Sequence, residues 1–239
     1  MKTMVVGASK GLGRALMEGL GGVGDTLIGV SRSRPDPLTC STGAEVRWVE
    51  ADLGVPGQAA HVIEQAVAAG GLDTLIYNLG IWEARAFDPA YSYLTDEDTQ
   101  LEAIVSCNIT APLLLVKRLL PVLLKSPQPR IILTGSTSGL PQSGRPEVAF
   151  GASKFALRGI ADALREGYRQ QRLGVTCLNL GYLNTEDSLS TSRTQAEQRG
   201  EGQLIPVHDV VQVVRMVLSL SGASFVKELT LPALLDERF

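Results

Sequence analysis

The stretch Gly7-Ala8-Ser9-Lys10-Gly11-Leu12-Gly13 decides the fold, because it joins a short apolar run to an amphipathic one. Residues 3–7 have the composition of a buried strand, and residues 11–22 have the periodicity of a helix. Glycines at such a turn let the backbone approach a pyrophosphate, which then lies on the helix N-terminus. The stretch therefore predicts a phosphate-binding turn, although a plain strand-to-helix turn also uses glycine.

Outward from this turn, short apolar runs alternate with longer amphipathic ones, which is typical of βαβ units in a parallel sheet. The predicted strands are residues 3–7, 26–31, 46–50, 73–78, 130–135, 174–180 and 227–231. The predicted helices are residues 11–22, 56–69, 95–124, 150–171 and 207–220, with Thr95 as a helix-opening cap and His208 and Asp209 in the first turn of the last helix. These patterns predict an α/β chain with a single-domain Rossmann fold over residues 1–239: a doubly wound parallel sheet of about seven strands with helices on both faces.

A polar segment, residues 184–205, interrupts this periodicity. Loops of this length in compact domains are more often functional than idle, so we interpret it as a substrate-loop flap at the strand ends, with a plain surface loop as the alternative. Together with the loop 81–94, which contains Trp82 and Phe87, and with residues 140–147, it is expected to line an apolar substrate pocket.

Composition and charge narrow the classes of function. A net charge of −3 over 239 residues gives no electrostatic reason to expect a nucleic acid or an anionic membrane as partner. Three cysteines without a CxxC pair and only two histidines indicate reduced thiols and no metal site. The apolar run 113–124 is too short to span a bilayer, and a strand at the very start leaves no room for a signal peptide. A cytoplasmic protein is therefore expected.

The end of the second predicted strand, Gly29-Val30-Ser31-Arg32-Ser33-Arg34, bears on the choice of dinucleotide. A site selective for NAD usually has Asp or Glu near this point for the ribose 2′-hydroxyl, whereas an Arg suits the 2′-phosphate of NADP. No acidic residue stands here. Arg32 offers a planar fork for a phosphate, and Ser31, Ser33 and Lys10 could add donors. A solvated surface arginine is the alternative, but the position favours NADP(H) over NAD(H).

These motifs resemble the short-chain dehydrogenase/reductase family, in the family's order from residue 3 to about residue 220. Gly7-x3-Gly11-x-Gly13 is similar to its cofactor fingerprint, and Asn78-Leu79-Gly80 to its Asn-Asn/Ala-Gly segment. Leu180-Gly181 corresponds to its Pro-Gly turn with leucine in place of proline, and Thr185 to its nicotinamide-binding threonine. The resemblance implies cofactor contacts from Gly7, Ser9, Lys10, Gly11, Leu12, Gly13, Ser31, Arg32, Asp52, Leu53, Asn78, Gly80, Lys154, Gly181, Leu183 and Thr185.

The resemblance also implies catalysis by a serine, a tyrosine and a lysine, with an asparagine on the preceding helix. In the family, the serine polarises the substrate oxygen and the tyrosine transfers the proton. The lysine lowers the tyrosine pKa and binds the nicotinamide ribose. Ser136 best matches the serine, with Ser138 as the alternative, whereas Asn108 matches the asparagine and Lys154 the lysine.

Pro112 gives Asn108 a physical context of its own. Proline has no N–H, so the carbonyl of Asn108, four residues earlier, loses its helical partner. A kink there can leave this carbonyl free for a water molecule, and in the family an asparagine at this place holds a water in the proton relay to the lysine. A simple proline-bent helix explains the same residues.

Phe150-Gly151-Ala152-Ser153-Lys154 stands where the family's Tyr-x-x-x-Lys motif is expected. The spacing puts Phe150 and Lys154 on one helix face, one turn apart. Phenylalanine keeps the ring but cannot donate a proton, and general acid–base catalysis is worth about 10²–10⁴ in rate. Tyr91, Tyr93 and Tyr182 could approach a substrate but are interpreted as pocket walls.

Three explanations of Phe150 remain open from the sequence: natural loss of the proton donor, a rewired enzyme that uses Ser136, water or a flap tyrosine, and a deliberate Tyr→Phe change. The expected function is that of an NADP(H)-dependent oxidoreductase of the short-chain type, acting on a small-molecule carbonyl or alcohol with impaired turnover. A non-catalytic NADP(H)-binding protein, as a sensor or accessory subunit, is the alternative. The resemblance also implies a homodimer or homotetramer paired through helices 95–124 and 150–171.

Overall fold

The computed structural model describes residues 1–35, 38, 40 and 42–237. The strands are β1 (Lys2–Val6), β2 (Thr26–Ser31), β3 (Glu45–Glu50), β4 (Thr74–Tyr77), β5 (Arg130–Thr134), β6 (Gly174–Leu180), β7 (Leu183–Asn184), β8 (Ile205–Pro206) and β9 (Glu228–Leu231). The helices are α1 (Gly11–Gly19), α2 (Pro56–Val67), α3 (Asp98–Val105), α4 (Ala111–Leu123), α5 (Val148–Gly167), α6 (Arg193–Gly200) and α7 (Val207–Ser219). A π-helical turn, Ser106–Thr110, joins α3 to α4.

Seven of these strands form one parallel sheet in the order β3-β2-β1-β4-β5-β6-β9. The seven strands and five helical regions expected from the sequence are all present, so the single-domain α/β Rossmann fold is confirmed. The order reverses between β1 and β4, and open α/β sheets bind ligands at such a point, beyond the carboxyl ends of the strands.

Helices cover both faces of the sheet and bury its apolar strands. On one face α2, α4 and α5 contribute fully buried side chains such as Ile63, Leu115 and Leu157. On the other face α1 and α7 contribute Leu16 and Val210. Burying an aliphatic side chain of this size stabilises the fold by roughly 1.5–3 kcal/mol, so the two layers hold the strand ends in a fixed frame. Cys40, Cys107 and Cys177 are free thiols, as expected.

The helical stretch Asp98–Leu123 is long and apolar enough, by length and composition, to cross a membrane, with a mean hydropathy of 1.5 in its most apolar window. Half of that window is buried inside the protein. Its α4 part packs into the same core as α2 and the sheet. The stretch therefore serves as a core helix of this fold.

Two sequence expectations need correction. Thr95 does not open the helix, because α3 starts at Asp98 after Glu97, and the Thr95 hydroxyl donates instead to the carbonyl of Ser92 at 2.8 Å. The polar segment 184–205 contains α6, which the sequence did not predict. Only Ala196 and Gly200 of that helix are buried, so it has almost no apolar face to reveal it. His208 and Asp209 lie in the first turn of α7, as predicted.

Candidate active site

A cleft of about 1170 Å³ lies at the carboxyl ends of the parallel strands. Small-molecule pockets usually measure roughly 300–1,000 Å³, so this cleft has room for a dinucleotide and a second molecule. The predicted cofactor residues on its wall are Gly7, Ser9, Lys10, Gly11, Leu12, Ser31, Arg32, Asp52, Leu53, Asn78, Gly80, Lys154, Gly181, Leu183 and Thr185. Ser136, Ser138 and Phe150 line it as well, whereas Gly13 and Asn108 lie behind the wall.

The glycine turn has a backbone that only glycine fits. Gly7 and Gly11 have φ of +81° and +53°, in the left-handed region. A Cβ on Gly13 would stand 1.9 Å from the carbonyl oxygen of Gly7, so no larger residue is possible without moving the turn. Helix α1 begins at Gly11, and Gly11 and Leu12 line the cleft. This cradle fits a dinucleotide pyrophosphate.

An exposed arginine follows the end of β2. Arg32 is exposed and lines the cleft with Ser31 and Ser33. The Ser31 hydroxyl donates to the carbonyl of Ser33 at 2.6 Å and accepts from the Trp48 indole at 3.2 Å. Its hydrogen is therefore already used, and Arg32 remains the main candidate for a 2′-phosphate.

The ends of β3 and β4 complete the dinucleotide side of the cleft. Asp52 accepts the backbone N–H of Gly54 at 2.9 Å, which shapes the loop that follows β3. The Asn78 side chain donates to the carbonyl of Gly7 at 3.4 Å and so ties the end of β4 to the glycine turn. Thr185 packs beside Gly11: a Cβ added to Gly11 would lie 3.3 Å from the side chain of Thr185. The sequence motifs thus meet in one place, although they are up to 178 residues apart, from Gly7 to Thr185.

Lys154 and Phe150 lie on one face of α5, as their spacing requires. The Lys154 Nζ donates to the carbonyl of Thr134 at 2.9 Å and lies 5.3 Å from the centre of the Phe150 ring. Burial lowers the pKa of Lys154 to about 8. Ser136 ends the turn after β5, and its Oγ accepts the backbone N–H of Ser138 at 3.1 Å, which leaves its own hydrogen for another acceptor.

Asn108 lies in the π-helical turn, so the helix is irregular just before Pro112, and a free Asn108 carbonyl stays a prediction. Single π turns within α-helices are common at functional sites. The buried Asn108 side chain accepts the N–H of Ile81 at 2.9 Å and donates to its carbonyl at 2.7 Å and to Ser153 at 3.0 Å. It therefore fixes the start of the loop after β4 to both α5 and the π turn.

Several side chains in the substrate half of the cleft were not singled out from the sequence. Arg145 donates to the Tyr182 hydroxyl at 2.7 Å and to both oxygens of Asp236 at 2.8 Å. Glu83, in the loop after β4, and Glu147, just before α5, are buried carboxylates next to the first turn of α5. Acidic residues in loops usually indicate surface, so the sequence carried no signal for their burial.

Comparisons with known proteins agree with this architecture. A model of the short chain dehydrogenase family matches residues 2–196. The uncharacterized oxidoreductase YciK of Escherichia coli is 28% identical over 207 residues, covering 82% of this chain and 79% of that protein. The NADPH-dependent pterin aldehyde reductase of Arabidopsis thaliana is 28% identical over 196 residues, covering 77% and 75%. The crystal structure of a metagenomic short-chain oxidoreductase in complex with NADP is similar with a TM-score of 0.74 at 22% identity, covering 97% and 96%.

The family match covers most of the chain and includes the glycine turn, the strand ends and the helix that carries Lys154. The similar crystal structure shows the same fold over nearly the whole length. This chain belongs to the short-chain dehydrogenase family of oxidoreductases.

Proposed function

We propose that the cleft binds NADP(H) in preference to NAD(H). The observation that carries this proposal is Arg32, which is exposed at the end of β2 where an NAD-selective site would have a carboxylate. Gly7, Gly11 and Gly13 would hold the pyrophosphate, Asp52 and Leu53 the adenine side, and Lys154, Gly181, Leu183 and Thr185 the nicotinamide end. A relative whose name states NADPH dependence and a similar structure with NADP support this choice.

The proposed reaction class is reduction of a carbonyl or oxidation of an alcohol, impaired because Phe150 has no hydroxyl. Bound NADP(H) supplies or accepts the hydride, so the chain itself must polarise the substrate oxygen and handle its proton. Ser136 has a hydroxyl hydrogen to offer that oxygen. Phe150 packs against Lys154 where the family's tyrosine stands, and the missing acid is worth about 10²–10⁴ in rate.

A non-catalytic NADP(H)-binding protein, as a sensor or accessory subunit, is the second candidate. It is favoured by the surroundings of Phe150, whose ring is 7% exposed and in edge-to-face contact with Trp82 and Phe87. An apolar ring suits this environment better than a phenol that must exchange protons with substrate. The cofactor half of the proposal is common to both candidates.

Binding and hydride transfer measured on the same preparation test the proposal. We expect calorimetric titration to show tighter binding of NADPH than of NADH. The ratio of the NADH Kd to the NADPH Kd should fall at least tenfold in Arg32→Ala. Arg14→Ala, at a partly exposed arginine on α1, is the matched control and should keep the preference. Slow hydride transfer to a panel of carbonyl compounds would favour the impaired enzyme. The absence of any hydride transfer would favour the binding protein. Failure to bind NADPH would overturn both.

We further propose a homodimer or homotetramer in the cytoplasm, paired through α4 and α5. Val105, Leu113, Val148 and Phe155 leave apolar side chains exposed along these helices and α3. Exposed apolar groups close together are typical of interfaces between subunits. Sedimentation equilibrium should give a dimer or tetramer, and Phe155→Glu should shift it toward monomer.

A further inference from the structure

Phe87 is the central ring of four aromatic side chains in the part of the cleft next to position 150. Its ring centre is 5.9 Å from those of Trp82 and Phe150 and 5.4 Å from that of Tyr182. The contacts with Phe150 and Tyr182 are edge-to-face, at 88° and 86°. All four residues line the cleft, so the Phe87 ring lies among the other three inside it.

The backbone of Phe87 is strained. Its φ of +69° is in the left-handed region, which is a genuine outlier for a residue with a bulky side chain. Such conformations persist only where the surroundings enforce them, and they are concentrated at ligand sites and switch regions. Here the Phe87 N–H donates at 2.8 Å to Oε1 of Glu147, whose side chain is buried.

Glu83 and Glu147 attach the loop and α5 to each other in opposite directions. Oε1 of Glu83, in the loop, accepts the backbone N–H groups of Ala149 and Phe150 at 2.8 and 3.1 Å. A carboxylate is stabilised at a helix N-terminus, where the first amide groups have no helical partner. Glu147, which precedes α5, holds Phe87 in return. These three hydrogen bonds fix the loop that carries Phe87 to the helix turn that carries Phe150.

We propose that Phe87 is a specificity-determining residue whose ring occupies the substrate subsite, and that substrates which displace it carry a flat aromatic group beside the carbonyl. The proposal rests on the proposed function, because position 150 marks where the substrate oxygen lies. A flat ring in the place of Phe87 meets the edges and faces of the same three side chains, and edge-to-face pairs are stabilised beyond their burial of area. Glu147 is a positioning residue that holds Phe87 in place.

The test compares two ketones that differ only in aromaticity, acetophenone and cyclohexyl methyl ketone, titrated by NMR into NADP⁺-loaded protein. Phe87 is half-buried and lines the cleft, so removing its ring enlarges the apolar part of the cleft by about the size of a benzene ring. We expect Phe87→Ala to lower the Kd of acetophenone at least tenfold and to bind it at least threefold more tightly than the saturated ketone. Phe225→Ala is the matched control: its ring is 40% exposed and packs on Gly174, at the opposite end of β6.

Glu147 is tested by substitution and rescue. Glu147→Ala removes the acceptor for the Phe87 N–H, so it should lower the Kd of acetophenone at least threefold and change the fluorescence of Trp82. Glu147→Gln keeps an acceptor oxygen and should behave as the natural chain. A general loss of stability would not be rescued in this way.

The outcomes separate this inference from the proposed function. The inference is wrong if the natural chain binds NADP⁺ but Phe87→Ala leaves the Kd of acetophenone unchanged. Phe87 would then line the cleft without occupying a ligand subsite. Equal affinity for both ketones overturns the aromatic class. Failure of the natural chain to bind NADP⁺ overturns the proposed function itself. Phe87→Gly, which also relieves the positive φ, gives the same comparison if the alanine variant does not fold.

Discussion

Lys154 is buried beside the carbonyl of Thr134 and the ring of Phe150, and the burial itself lowers its pKa to about 8. Lys154 stands four residues after Phe150, which is the spacing of the family's Tyr-x-x-x-Lys motif. Sequence spacing was sufficient to predict this pairing, because residues four apart share a helix face. It was not sufficient to predict the buried Glu83 and Glu147, since their environment arises from segments 60 or more residues apart.

The lowered pKa of Lys154 makes stability depend on pH in a stated direction. Its folded-state pKa of about 8 lies below the ordinary 10.5, so between these values the unfolded chain binds more protons and the free energy of unfolding rises with pH. We expect the natural chain to gain stability relative to Lys154→Met over this window, as measured by urea unfolding at several pH values. Lys117→Met, at an exposed position of α4, should show no such trend. A constant difference for Lys154→Met would contradict the lowered pKa of Lys154.

At the scale of elements, prediction succeeded where burial leaves a pattern in the sequence. Strands such as β1, β4 and β6 are apolar runs buried on both faces, so their positions could be predicted to within a residue or two. Helix α6 was missed because it buries two small residues and little else. The predicted helix 95–124 contains a π-helical turn before Pro112, where the missing N–H of proline made a kink one possible reading of the sequence.

The π-helical turn allows a prediction about Asn108. Asn108→Ala removes three hydrogen bonds and leaves the Ile81 N–H and carbonyl without these partners. We expect a loss of about 1–3 kcal/mol in the free energy of unfolding and weaker NADPH binding, because the loop after β4 loses its attachment. Ser106→Ala, in the same turn, is the control and should change stability by less than about 0.5 kcal/mol. Equal stability of the two variants by urea unfolding would show that the Asn108 contacts are dispensable.

At the scale of the whole molecule, residues 232–236 support the wall of the cleft at the Gly181 turn. They pack on the Gly181 turn, where a Cβ would lie 3.1 Å from Pro232, and Leu235 donates its N–H to Gly202 beyond α6. Asp236 pairs with Arg145 at 2.8 Å, and both side chains are almost fully buried. The Arg145–Asp236 ion pair therefore connects residues 232–236 to the 140–147 loop, and the Leu235–Gly202 hydrogen bond connects them to the 184–205 segment.

Breaking this ion pair should be costly. Asp236→Asn leaves the Arg145 charge buried without its counter-charge, and removing one partner of a buried pair typically costs about 3–5 kcal/mol. We expect a loss of this order in chemical unfolding, with faster hydrogen exchange in residues 200–205. Glu237→Gln, at the exposed neighbouring position, should have the stability of the natural chain. If the two variants are equally stable, the ion pair does not hold the cleft together.

The central claim is that this chain holds NADP(H) in a complete short-chain dehydrogenase site that lacks one hydroxyl. The most direct measurement is kcat/KM for NADPH-dependent reduction of one panel of carbonyl compounds by the natural chain and by Phe150→Tyr, with the NADPH Kd of both. We predict equal NADPH affinity and a rate at least about 10²-fold higher for Phe150→Tyr, in line with the value of a positioned proton donor. Equal rates for the two proteins, with NADPH bound to both, would contradict the claim.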